Sequence, residues 1–269
     1  MKKYFKNFKK IYLYQKFILL FNTIKEIKLT NFQIIFAAYA IIFSIFLLLS
    51  IPGLFNYEKK IEEIETKIEQ DFKVYLNNLS NIKYRFIPAP HIIIETGELK
   101  LSKSGESQIA KLEDIKIFLS IIDLYKNKNI KIKKILINKA NFYFKDNDFI
   151  LFNKHLHKNI NKPIKIKNSN FFYVNTENEV STISPIKNFN YYIDLQNKEK
   201  KLKLKGKLFD VDYNFNWSKN YQKPNIVESS IRFQNPNINI INQFKMNKQN
   251  IITGKSKINF LDNKFNLLF

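Results

Sequence analysis

The chain has 269 residues, no cysteine, only five glycines and a formal charge of +22 at pH 7. Without cysteine it forms no disulfide, thiolate metal site or cysteine nucleophile, and its few glycines leave no phosphate-cradling loop. The basic residues are scattered among Ile, Asn, Phe and Tyr and form no patch or motif, so lysine reads as the default residue of solvated faces and nucleic acid is not an expected partner.

Residues 1–28 hold eight lysines against the single Glu26. Tyr4, Phe5, Phe8, Ile11 and Tyr12 recur at helical spacing among them, continuing to Phe17, Leu20 and Phe21. That pattern fits either an in-plane helix on an anionic leaflet or a plain basic topogenic tail. Next, Leu29 to Tyr57 contains no Asp, Glu, Lys or Arg, and Ile34–Leu54 is almost wholly apolar. About 20 such residues at a rise of ~1.5 Å cross a hydrocarbon core ~30 Å thick, so one helix from near Phe32 to near Pro52 suffices. The apolar core is too long for a cleaved signal peptide and no small-x-small cleavage site comes after it. Charge asymmetry keeps the N-terminus cytoplasmic and places everything after residue 56 on the other side.

After Pro52-Gly53, the run Tyr57–Leu79 spaces Ile61, Ile64, Ile68, Phe72, Tyr75 and Leu79 by three and four, an amphipathic helix that packs on the domain after it. From Ile82 the period falls to two, as in Leu99-Lys100-Leu101, Ile115-Lys116-Ile117 and Val211–Trp217, and these are half-buried strands. Turn-like clusters at Ser102–Ser107, Asp146-Asn147-Asp148, Asn175–Asn178, Gln196–Lys200 and Asn235-Pro236-Asn237 separate them, which predicts an antiparallel meander. Only Gln108–Tyr125 admits a competing helical reading. A loose repeat, Ile130–Asp146 echoed by Ile164–Asn175, reads as two β-corner units stacked on one another. The expected segments are a basic arm at 1–30, an anchor at 31–55, a linker helix at 56–80 and a β domain at 81–269.

The order of these features carries a resemblance. A span, an amphipathic helix, the corner Phe86-Ile87-Pro88-Ala89-Pro90-His91 between two strands, then Ala110–Ser120, Ile130–Ile137 and Ala140–Phe144, resembles the start of the AsmA family of bacterial envelope proteins. Leu202–Trp217, with Gly206 inside it, is similar in style to that family's later strands. The resemblance implies an inner-membrane anchor carrying an elongated antiparallel β-sheet in the periplasm. Such a sheet curls into a groove whose apolar face holds acyl chains, and the family is linked to outer-membrane assembly and phospholipid transport. On that basis Ile115, Ile117, Ile130, Ile132, Ile135, Ile137, Leu202 and Leu204 are the candidate groove residues, with Pro88 and Pro90 as the family-like corner. About 12 strands at ~4.8 Å would extend ~60 Å. The chain departs from the family in being short and in its long basic arm. The alternative is a closed sandwich whose exposed edge recruits envelope partners by strand addition; the last apolar strand, Lys264–Phe269, reads either as a fragment's end or as an edge awaiting a partner.

Motifs for catalysis are absent: neither GxSxG nor HExxH occurs, and Glu95 with Glu98 and Asp146 with Asp148 have no neighbouring base. His155-Leu156-His157 would put two imidazoles on one face of a strand without a third ligand, and Asp146-Asn147-Asp148 lacks the glycine and distal Glu of a calcium loop. Asn78-Leu79-Ser80 and Asn216-Trp217-Ser218 match the glycosylation sequon by chance in so Asn-rich a chain, and Trp217 reads as core. The expectation is therefore a non-enzymatic, single-span envelope protein without a cofactor, its partners membrane lipid and other envelope proteins.

Overall fold

The computed structural model describes residues 31–269 apart from 102–107, 121, 124, 126–129, 157–159, 161, 224 and 247–251. The basic arm and the Ser102–Ser107 turn lie outside the described residues. The described residues divide into two compact units, 31–51 and 52–269. In the first, helix α1 (Asn31–Ser50) has no charged side chain. Its two serines satisfy themselves within the helix, Ser44 Oγ donating to the Ala40 carbonyl at 2.7 Å and Ser50 Oγ to that of Phe46 at 2.8 Å. Together with the 3-10 turn Ile51–Leu54 it gives a stretch, Phe32–Leu54, long and apolar enough to cross a membrane.

The second unit opens with helix α2 (Ile61–Phe72), whose Ile64, Ile68 and Phe72 are wholly buried. The amphipathic helix expected to reach residue 80 ends here. Lys73 takes the left-handed conformation (φ 58°) and caps it, its N–H donating to the Glu69 carbonyl at 2.9 Å, so Tyr75 and Leu79 lie on a strand instead. That strand, β1 (Tyr75–Ser80), begins one sheet with β2 (Lys83–Arg85), β3 (His91–Lys100), β4 (Ala110–Leu119), β5 (Ile132–Phe144), β6 (Ile164–Val174) and β7 (Val180–Asp194). It continues through β8 (Glu199–Leu208), β9 (Val211–Asn220), β10 (Ile226–Phe233), β11 (Ile238–Met246), β12 (Ile252–Phe260) and β13 (Asn263–Leu268). Spatial order follows chain order from β3 onward, and β1 and β2 share the outer edge of β3. The fold is thus mainly β, as expected: an N-terminal apolar helix, then a long open curled sheet.

One pair departs from the antiparallel expectation. β5 and β6 run parallel because helix α3 (Asp146–Leu156) carries the chain back between them. The residues read as a hairpin turn, Asp146 to Asp148, open this helix: Asp148 Oδ2 accepts the Lys145 N–H at 2.9 Å, and both carboxylates sit where the helix dipole favours negative charge. The chain at residue 155 is helical, so positions 155 and 157 do not share a strand face; His157 lies outside the described residues. The competing reading of Gln108–Tyr125 resolves as strand β4 followed by helical residues at 122, 123 and 125.

The loose repeat turns out to be that parallel pair. Its two copies lie side by side in register, Ile135 opposite Ile164, Asn141 opposite Asn170 and Phe142 opposite Phe171. The Asn170 amide donates to Asn141 Oδ1 at 3.1 Å, and Tyr143 stacks on Phe172 with ring centroids 4.9 Å apart. A similar corner bends β4 and β6. Asp114 and Asn168 adopt φ 48°, and the buried positions jump by three instead of two, from Leu112 to Ile115 and from Ile166 to Ser169. Asn138 Nδ2 holds the corner by donating to Asp114 Oδ2 at 2.5 Å.

Candidate functional site

Strand pairing assembles one face of the sheet into rows. The longest apolar row crosses eleven strands without interruption: Ile94, Ile115, Ile137, Ile166, Phe189, Leu204, Phe215, Ile231, Ile240, Ile258 and Phe265, each directly opposite the next. The neighbouring row on the other face runs Lys116, Leu136, Lys165, Asn190, Lys203, Asn216, Ser230, Ile241, Lys257 and Asn266, mostly polar. The sheet is therefore amphipathic from end to end.

What covers the apolar row changes along it. Ile94 and Ile115 are fully buried in a cluster with Ile64, Ile68 and Phe72 of α2, and Ile137 and Ile166 are still buried. From Phe189 to Ile258 the row is only half-buried, and Phe265 is 53% exposed. One helix of twelve residues, ~18 Å long at 1.5 Å per residue, spans only about four strands at ~4.8 Å spacing, which is why the cover ends there. Beyond it this row is only half-buried, although Tyr191, Leu202 and Trp217 in the adjacent row of the same face stay buried as far as β9.

Two polar features interrupt that face, and neither was legible in the sequence. In the row beginning Ile92, Ile117, Ile135, Ile164, Tyr191, Leu202 and Trp217, the next three strands contribute Ser229, Asn242 and Ser256. These bond to one another, Ser256 Oγ donating to Asn242 Oδ1 at 2.7 Å and Asn242 Nδ2 to Ser229 Oγ at 3.4 Å. One position further along, Lys200 lies directly opposite Lys219. Lys200 is 6% exposed with its ammonium 5.7 Å from the Tyr221 ring, and burial pushes both lysines below the usual ammonium range, Lys200 further by the charge of Lys219. The nearby carboxylates of Asp194 and Glu199 pair instead with Lys201, which occupies the opposite face, at 2.8 and 3.2 Å. Only a strand-by-strand register brings such residues together, and a single sequence does not contain it.

The structure places all eight predicted groove residues on the apolar side of the sheet. Ile115, Ile117, Ile130, Ile132, Ile135 and Ile137 are at most 5% exposed and belong to the covered core, as do Leu202 and Trp217, whereas Leu204 is half-buried on the open stretch. Pro88 and Pro90 form the corner between β2 and β3, where the Pro90 carbonyl accepts the Leu119 N–H at 3.0 Å. Among the described residues no three metal-ligating side chains converge.

No curated protein matches the chain. Over residues 32–148, from the apolar helix through the Pro88–Pro90 corner and β3 to β5 as far as the first turn of α3, the chain matches the AsmA family.

Proposed function

We propose that this is a non-enzymatic, single-span inner-membrane protein whose β unit stands in the periplasm and holds phospholipid acyl chains along its apolar face, acting in outer-membrane biogenesis. The observation that carries the reading is the eleven-strand apolar row whose helical cover stops at its fourth strand. A row of half-exposed Phe, Leu and Ile is costly in water, and every lipid methylene laid along it contributes roughly 0.8 kcal/mol. Ser229, Asn242 and Ser256 on that face spend hydrogen-bonding capacity on one another, which lowers the cost of laying an acyl chain beside them. The AsmA match over 32–148 supports an envelope setting, and the stretch Phe32–Leu54 supports the anchor.

Site-specific photocrosslinking in living cells tests it, with the probe placed in turn at Ile231, Arg232, Ile240 and Ile241. Lipid adducts at Ile231 and Ile240 alone are expected. Adducts only to protein, or none at any of the four, would replace the lipid reading by a scaffold. One observation favours that second reading: all six residues of β13 are exposed, among them Phe265, Leu267 and Leu268, which suits strand addition by an envelope partner.

A further inference from the structure

The β unit carries an apolar corner where the chain leaves the apolar helix. The last residues of that stretch, Pro52 to Leu54, already belong to the β unit. Leu54 is 86% exposed there and Phe55 is partly exposed, and a Cβ on Gly53 would lie 3.5 Å from the Tyr84 ring of β2. Tyr57 stacks on the same ring, centroids 5.9 Å apart and planes 8° from parallel. Three residues past Tyr84, within ~10 Å along the chain, Ile87 stands 69% exposed at the tip of the corner before β3. The β4–β5 connection joins this corner through the Leu119 to Pro90 hydrogen bond. Ser120 Oγ donates to Asp123 Oδ2 at 2.5 Å and Lys131 pairs with the same carboxylate at 3.3 Å, a tie that holds Ile122 outward, also 69% exposed.

Three separate segments thus bring apolar tips beside the half-buried Tyr84 and the exposed Tyr125, with the buried Tyr57 stacked behind Tyr84 and the exposed Lys83 and Arg85 on the other face of β2. Burial pushes the Tyr84 phenol up to about 12 and Tyr57 higher still, each raised further by neighbouring tyrosines, so the hydroxyls stay neutral donors. Exposed aliphatic tips beside partly exposed tyrosine rings are the side chains that settle at a membrane–water interface.

We infer that Leu54, Phe55, Ile87 and Ile122 seat in the head-group and upper acyl region of the bilayer that Phe32–Leu54 crosses, making this corner the membrane-facing foot of the β unit. The inference rests on reading Phe32–Leu54 as a span. Covalent continuity selects the occupant: Leu54 ends the apolar stretch, Ile87 follows by three residues the Tyr84 that lies beside Gly53, and Ile122 stands on the connection whose Leu119 bonds the Pro90 of the same corner. A foot of this kind brings the start of the sheet onto the lipid surface.

The chain has no cysteine, so one introduced thiol carries a single environment-sensitive fluorophore. The full chain in nanodiscs of phosphatidylcholine and phosphatidylglycerol is labelled at I87C, I122C, F43C, F209C or L261C, all at exposed positions where substitution leaves the fold intact. Phe209 and Leu261 are equally exposed apolar tips in turns at the other end of the strands. Lipids spin-labelled near the head group are expected to quench I87C and I122C at least twofold more than F209C and L261C, while lipids spin-labelled deep in the chain quench F43C. If F43C is quenched and I87C and I122C match F209C, the foot is overturned and the anchor stands. Equal strong quenching at all four tips also overturns it, as indiscriminate adhesion. If F43C is not quenched, the span reading fails and the foot falls with it.

Discussion

At the scale of single residues, the close packing of the sheet is most exacting at Gly206. A Cβ there would sit 2.6 Å from the Pro185 carbonyl on β7 and 3.0 Å from the Tyr213 hydroxyl on β9, with backbone on one side that has no room to retreat. Gly206→Ala is therefore expected to destabilise the β unit by about 2 kcal/mol, read as a shift in urea midpoint. Gly53→Ala, where the nearest atom is at ordinary contact distance of 3.5 Å, is the control and should be neutral. Lys200 gives the opposite sign. Its pKa is lower in the folded chain than the ordinary 10.5, so the native state binds fewer protons than the unfolded state at alkaline pH. Stability should consequently rise as pH climbs through the lowered value toward 10.5, where the penalty of the buried charge is relieved. Lys200→Met, which keeps the stem and removes the charge, is expected to stabilise by about 1 kcal/mol at pH 7 and to flatten that alkaline rise. A variant no more stable than wild type, with the rise intact, would show the charge to be well solvated.

At the scale of elements, α2 closes the proximal end of the sheet through three side chains one and two turns apart, Ile64, Ile68 and Phe72, all fully buried. Phe72→Ala is expected to cost about 3–5 kcal/mol by chemical denaturation, the range for truncating a buried aromatic, whereas Gln70→Ala on the exposed side of the same helix should stay within about 0.5 kcal/mol. This helix was legible in the sequence because its 3.6 period is carried by isoleucines among Glu and Lys. Its end was not, since Tyr75 and Leu79 happen to continue the spacing and the left-handed Lys73 that stops it carries no glycine to announce it. The strands of β8 and β9 were legible for the same reason as the helix: Leu202, Leu204 and Phe215, Trp217 alternate with Lys and Asn. In β3 to β7 the corner at Asp114 and Asn168 breaks that alternation by one residue, so period two assigns the right face only up to the bend. Helix α3 was missed because Asp146-Asn147-Asp148 satisfies turn chemistry and helix N-terminal chemistry alike, and Phe149 and Phe152 just after it decide the matter by packing on Phe144 and Phe171 at 5.4 to 5.8 Å. The candidate groove residues were legible as apolar, but that all of them except Leu204 lie in the covered core depends on the length of α2 against the number of strands, and that is a property of the assembled sheet.

At the scale of the β unit, a sheet whose neighbours contact mainly in sequence order behaves as a one-dimensional stack, in which each strand is stabilised by the two beside it and by whatever lies on its face. The strands under α2 have all three. Those from β10 to β13 have only their neighbours and a half-exposed apolar row. Amide hydrogen exchange should therefore be graded, slowest in β3 to β5 and fastest toward β13, because local opening of a distal strand uncovers little buried area. The gradient separates the two readings of the apolar face when lipid is supplied. If acyl chains occupy the row, adding a soluble single-chain phospholipid to the full-length protein should slow exchange in β10 to β12 by roughly tenfold, equivalent to ~1.4 kcal/mol. β3 to β5, whose row is already filled by Ile64, Ile68 and Phe72, should not change. Ile231→Asp, which places a carboxylate in the middle of the row without altering the strand's hydrogen bonds, should abolish the slowing. Exchange that lipid leaves untouched in every strand would mean that the distal face is covered by protein in the envelope, with β13 then the place to look for the partner.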